Sequence, residues 1–156
     1  DPVLSMRTAV ALLGAVCLLH GGSAARADPT VLAVIVHPTR TDRLSREDLE
    51  RIYLRKRRFW DDGSPIVPLN REPQSAARAA FSARVLHGDG AQLQAYWNQQ
   101  YFQGIFPPTT LSSGAAVKRY VGTDRRAIGY VEANEVDPSV RVVLMLELDE
   151  RPVSSP

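Results

Sequence analysis

Cysteine is almost missing. One residue in 156, Cys17, carries a thiol, and it sits inside an apolar run near the amino terminus. A fold built beyond that run has no disulfide to lean on and no thiolate to offer a metal. Histidine is nearly as scarce: of three, only His37 and His87 lie beyond residue 27, and they are far apart in sequence. No H-E-x-x-H, G-x-S-x-G or P-loop spacing occurs, so the familiar signatures of zinc hydrolases, serine hydrolases and phosphate-loop enzymes are absent. His37 follows an apolar strand-like run, a place where a lone histidine is more often structural than a metal ligand. No enzymatic activity, cofactor or metal is expected. Charge of one sign is lacking too. Nineteen basic residues face 17 acidic ones, for a formal charge of +2, which is no electrostatic case for a nucleic-acid partner. The run of apolar residues is shorter than the roughly 20 needed to cross a bilayer.

What is present first is a leader. Met6 and Arg7 precede apolar residues 9–19, and small residues lead to Ala25-Arg26-Ala27. That pattern predicts a secretory signal over residues 1–27, cleaved at an A-x-A site, with no stable membrane anchor afterwards. A retained anchor is the alternative. Val16 before Cys17 is a poor match to lipoprotein processing. Cleavage would remove Arg7, Arg26 and Asp1, leave a net charge near +1, and place the remaining chain in the periplasm. The expected domain is 28–148, followed by a loose polar tail at 149–156.

The remaining residues alternate between strand-like and helix-like patterns. "VLAVIVHP" (31–38) is a continuous β-branched run, as a buried strand requires. Ser45 with Asp48 resembles a capping box, and Leu49, Ile52 and Tyr53 form one apolar stripe. Asp62-Gly63-Ser64-Pro65 is turn chemistry, with Trp60 expected to pack back on the core. A strand over 66–70 leads into a helix over 75–86 that turns Ala77, Phe81 and Val85 inward. A further helix over 91–101 carries Leu93, Tyr96, Trp97 and Tyr101 at helical spacing. A loop from Pro107-Pro108 precedes a helix capped by Ser112 or Ser113, and "AIGYV" and "VRVVLMLEL" supply the last strands. The order β-α-β-α-α-α-β-β predicts a three-layer α/β domain with a small, partly parallel sheet.

Two helix starts carry possible chemistry. The first amides of a helix have no intrahelical partner, and the macrodipole adds about half a positive charge there. Arg71, Gln74 and Ser75 stand where a strand hands over to such a start; a guanidinium fork and a hydroxyl suit an oxyanion. In the competing reading, Ser75 only caps its helix and Arg71 is a solvated surface charge. Ser112, Ser113 and Gly114 repeat the theme, again with plain capping as the alternative. "YLRKRRFW" (53–60) puts basic residues beside aromatics, but Asp61 and Asp62 follow at once. A solvated helix end, complementing the dipole, is the better reading of that cluster.

Residues 44–81, "LSREDLERIYLRKRRFWDDGSPIVPLNREPQSAARAAF", and residues 112–132, "SSGAAVKRYVGTDRRAIGYVE", resemble segments of phosphate ABC transporter substrate-binding proteins. The aromatic "AYWNQQYF" (95–102) lies between them as in that family, and the likeness extends over about residues 31–146. The resemblance implies a periplasmic-binding-protein-like (type II) α/β fold, here a single lobe with a mixed sheet flanked by helices. It implies an exported, non-enzymatic binding protein for phosphate or a similar oxyanion, with an ABC transporter or envelope sensor as protein partner. Arg71 and Ser75 match the family's motif, and Gln74, Ser113 and Gly114 join them as candidate anion ligands. The chain departs from the family in length and in reading Ser75-Ala76-Ala77 where the family has serine-glycine-threonine. Ala76 adds a methyl where backbone approaches the anion. A ligand-free interaction module that keeps only the lobe is the alternative function.

Overall fold

The computed structural model describes residues 31–147. The expected leader, its cleavage site and the expected tail lie outside the described residues. Five strands and four α-helices occur in the order β1 (Val31–Val36), α1 (Arg46–Tyr53), β2 (Val67–Asn70), α2 (Ala76–Val85), α3 (Gly90–Tyr101), β3 (Thr109–Thr110), α4 (Gly114–Thr123), β4 (Ala127–Glu132) and β5 (Arg141–Glu147). A short 3-10 turn, Ala133–Glu135, separates β4 from β5.

The strands form one sheet in the order β3-β2-β4-β1-β5. β1 pairs antiparallel with both β4 and β5, whereas β2 runs parallel to β3 and β4. The sheet is therefore mixed. β1, like β4, is buried in all but one residue, because helices cover both faces. Leu32, Val34 and Val36 meet Leu49, Ile52 and Tyr53 of α1 and Ala77, Phe81 and Val85 of α2. Ala33 and Ile35 point the other way, toward Val117 and Val121 of α4. A strand covered on both sides reads as an unbroken apolar run, which is what residues 31–36 show.

Local chemistry sets the element ends. Ser45 caps α1, its hydroxyl accepting from the Asp48 amide while the Asp48 carboxylate accepts from the Ser45 amide. Trp60 returns to the core, 2% exposed, and its indole N–H donates to the Arg126 carbonyl at 3.0 Å. Arg40 lies over that ring, 4.1 Å from the centroid. Its buried guanidinium donates to the Arg125 carbonyl, Asp42, Asp62 and Ser64. A buried cation this well bonded is a structural tie between loops.

The apolar stripe of α3 is only half covered: Leu93, Tyr96 and Trp97 are half-buried, no residue of α3 is fully buried, and Tyr101 is 63% exposed. Helical spacing shows which residues share a stripe; it does not supply a layer to cover it. Tyr96 does reach inward, donating to the Leu54 carbonyl at 2.8 Å. β3 falls in the segment read as a loop. Two residues carry too little pattern to announce a strand, and they become one by pairing with the edge of β2.

Gly129 is where α4 meets the sheet: a Cβ there would overlap Val117 Cγ1. Gly129→Ala is expected to lower stability by about 1–3 kcal/mol, as overpacking does, in a urea titration. Asp48 supplies a pH dependence. The hydrogen bond from the Ser45 amide, foremost, holds its carboxyl below the usual value of 3.8, with the Ser45 hydroxyl and Arg57 adding to this and burial opposing it. A depressed folded pKa contributes stability that is complete above the unfolded value and is lost as pH falls through the folded one. The stability gap between wild type and Asp48→Ala is therefore expected to be constant at neutral pH and to narrow below about pH 4.

Candidate functional site

The last residue of β2, Asn70, and the residue after it, Arg71, are both buried. Three aromatic rings hold this corner. Phe81 of α2 stacks on Tyr130 of β4 with centroids 4.0 Å apart and planes within 2°. Tyr53 of α1 tilts against Phe81 at 4.6 Å. The ring hydroxyls are placed by this packing. Tyr53 donates to the Leu69 carbonyl at 2.7 Å, and Tyr130 donates to Asn70 Oδ1. The same Asn70 oxygen accepts from the Arg71 amide at 3.0 Å. The backbone at Arg71 is thus fixed from three elements. Burial is also the main cause that raises the Tyr130 hydroxyl's pKa, so it stays a donor at all ordinary pH.

The Arg71 side chain is not the solvated surface charge that one reading of the sequence allowed; it is 4% exposed. Its Nε and Nη2 donate to the two carboxylate oxygens of Glu72 at 3.0 and 3.1 Å, a forked pair. Its Nη1 lies 3.8 Å from Glu135 Oε2 and has no hydrogen-bond partner. Burial favours the neutral guanidine, but the Glu72 hydrogen bonds and the charges of Glu72, Glu135 and Glu132 outweigh it and raise the Arg71 pKa. The Arg71 carbonyl accepts from Arg78 Nη1 at 2.9 Å, which ties the start of α2 back to the end of β2. Ser75 is the N-cap of α2, its hydroxyl accepting from the Arg78 amide at 3.0 Å. Gln74 beside it is exposed.

The second helix start reaches the same place through a residue the sequence reading passed over. Ser113, rather than Ser112, caps α4, accepting from the Ala116 amide at 3.1 Å. Gly114 opens the helix and is buried. A Cβ on Gly114 would lie 2.5 and 2.6 Å from the oxygens of Glu135. The Glu135 carboxylate therefore rests directly on the first residue of α4 while facing Arg71. It is held there by the Glu132 amide, which donates to Oε2 at 3.1 Å, and Lys118 Nζ donates to the Glu135 carbonyl at 3.0 Å. So the structure brings Arg71 and Gly114 together around one carboxylate. Ser75 and Ser113 spend their acceptor function on capping, although each hydroxyl keeps a proton to donate. Asn70, Glu72, Arg78 and Tyr130 lie within the segments that resemble the phosphate-binding family but were given no role from the sequence, and Glu135 lies outside those segments. The glycine at the helix start was the one visible trace of Glu135.

A mixed sheet between two helical layers, with polar residues gathered where a parallel strand meets a helix, gives this chain the fold of a single periplasmic-binding-protein-like lobe. The structural comparisons then name particular relatives of this fold. The chain is similar to a putative phosphate ABC transporter substrate-binding protein with bound phosphate from Clostridium perfringens (TM-score 0.59, 24% identity, 74% of this chain and 46% of that one). It is also similar to an ABC-type phosphate transport receptor from Vibrio cholerae (0.58, 20% identity, 75% and 50%) and to PstS from Borrelia burgdorferi (0.56, 14% identity, 72% and 46%). The chain spans about half the length of these proteins. No protein-family model matches it, and no curated protein matches it by sequence.

Removing the cation should expose how the corner is balanced. Arg71→Ala leaves Glu72 and Glu135 facing each other without it, and a stability loss of about 1–3 kcal/mol is expected in chemical denaturation. Glu135→Gln keeps an acceptor for the Glu132 amide and relieves the excess negative charge. Its stability is expected to stay within about 0.5 kcal/mol of wild type.

Proposed function

We propose that this chain is an exported, non-enzymatic binding module for phosphate or a similar oxyanion, with Arg71, Gln74, Ser75, Ser113 and Gly114 as its ligand-contacting residues. One observation carries the reading: a carboxylate, that of Glu135, lies where the Arg71 guanidinium and the start of α4 meet. A position that accommodates a negatively charged oxygen pair has the electrostatics an oxyanion needs. In this reading the incoming anion displaces Glu135 and takes the unpartnered Nη1 of Arg71, while the Ser75 and Ser113 hydroxyls donate their free protons. The names of two of the structural neighbours, a phosphate ABC transporter substrate-binding protein and an ABC-type phosphate transport receptor, support the same ligand class. An ABC transporter or an envelope sensor is then the protein partner, and the periplasm is the compartment. A domain over residues 28–148 belongs to the same proposal.

A second reading has its own support. Glu72 already occupies two of the Arg71 donors, and Glu132 and Glu135 add negative charge beside it. A unit charge about 4 Å away contributes roughly 1 kcal/mol in water and about 4 kcal/mol at an effective dielectric of 20. An anion entering this corner meets that repulsion. If it prevails, the lobe is a protein-interaction module that has kept the scaffold and lost the ligand.

Calorimetry at low salt with inorganic phosphate and with sulfate separates the two. The anion-binding reading expects saturable heat with wild type, at least several-fold tighter binding with Glu135→Gln, and loss with Arg71→Ala. Absence of heat and of thermal stabilisation in both wild type and Glu135→Gln, at millimolar anion, selects the interaction module.

A further inference from the structure

A charged cavity opens at the other end of β2 from the Arg71 corner. It has a volume of about 290 Å³ and is bordered by Val67 and Pro68, the first residues of the strand, whereas Arg71 follows the last. Arg55 and Arg58 supply its charge, and Ile66, Ile105, Phe106 and Pro107 supply apolar wall. Among the described residues, no carboxylate lines it. Between the two arginines in sequence, Arg57 is fully engaged, pairing with Asp48 and Asp61. Arg55 and Arg58 make no ion pair among the described residues.

The backbone at this point is unusual. Arg55 adopts a left-handed conformation, φ 61°, directly after the C-cap of α1. A glycine would do so freely, whereas another L-residue is strained by about 1–2 kcal/mol. Strain held at a non-glycine residue is a reason to ask what its side chain does. Arg55 Nη1 donates to the carbonyl of Ile66 at 3.3 Å, and both residues line the cavity. Its Nε is buried without a hydrogen-bond partner. Burial, and then the neighbouring Arg58, lower the Arg55 pKa, the signature of a cation short of counter-charge. Phe106 is 59% exposed and is steadied by edge-on contact with Tyr101 at 5.6 Å, so the wall beside the arginines presents an aromatic face.

We propose that this cavity is a second binding site, for a small carboxylate carrying an apolar or aromatic group. A planar carboxylate matches the guanidinium fork, the missing counter-charge favours an anion, and the Ile105–Phe106 wall favours a hydrophobic body over a bare inorganic ion. Both a free aryl or alkyl acid and the carboxyl terminus of a peptide ending in an apolar residue present this chemistry. The site is independent of the Arg71 corner and of the oxyanion reading attached to it.

The test is a titration of the folded protein followed by backbone amide shifts, using 3-phenylpropionate, its neutral amide, the peptide N-acetyl-Gly-Phe and inorganic phosphate. The expected result is saturable shifts confined to residues 55–58, 66–68 and 104–109 with the two carboxylates, and at least tenfold weaker binding of the amide. Arg58→Gln changes an exposed side chain and is expected to weaken carboxylate binding about tenfold or more, the weight of a charged hydrogen bond. Phe106→Ala is expected to weaken it several-fold, and Arg71→Ala to leave it unchanged. Tighter binding of the free acid than of the peptide identifies a metabolite-like ligand, and the reverse identifies a chain terminus. Equal binding of acid and amide, equal binding to wild type and Arg58→Gln, or tighter binding of phosphate at these residues would overturn the proposal.

Discussion

The stacked pair Phe81–Tyr130, with Tyr53 tilted against it, is the contact on which this lobe depends. It is worth about 0.5–1.5 kcal/mol beyond the area it buries, but its larger role is positional. One ring comes from each of α1, α2 and β4, so the cluster locks both helices of one layer to the sheet. Its two hydroxyls then fasten the end of β2. A loop leaving a four-residue strand would otherwise be free to choose its direction. Here the Tyr130–Asn70 bond sets it, and with it the place where the Arg71 charge enters the protein.

Burying that charge imposes the next constraint. A guanidinium removed from water must be met by negative charge and hydrogen bonds. Glu72 does most of this at close range, and Glu135 completes it from the far side of the sheet's end. Glu135 can do so because Gly114 leaves room at the start of α4. One electrostatic requirement thus couples β2, α4 and the turn after β4. The same corner explains why two functional readings compete: what stabilises the buried cation in the free protein also contests it against an incoming anion.

Much of the layer structure was legible from residue patterns. The continuous β-branched run of β1, the Ser45–Asp48 capping box, the Ala77–Phe81–Val85 stripe and the return of Trp60 follow from periodicity and local hydrogen bonding, and each has its place in the fold. Those signals are short-range, so a sequence displays them openly. α3 shows their limit: its stripe is real, but it is only half-buried along Leu93, Tyr96 and Trp97 and open at Tyr101. β3 shows another, since a two-residue strand exists through its partner alone.

The site divides in the same way. By itself the sequence determined which residue types stand at the two helix starts: Arg71, Gln74 and Ser75 at one, Ser113 and Gly114 at the other. It also placed a serine cap at each start, because capping is decided within four residues, but left Ser112 and Ser113 as alternatives at the second, where the structure selects Ser113. Tertiary structure alone decided that Arg71 is buried rather than solvated, that Glu135 and not solvent meets it, and that Arg55 and Arg58 are left without a carboxylate at the opposite end of β2. The reason is physical. Capping and strand pattern are properties of neighbours along the chain, whereas burial and charge pairing depend on distances between residues remote in sequence, as Arg71 and Glu135 are, and those distances are set by packing.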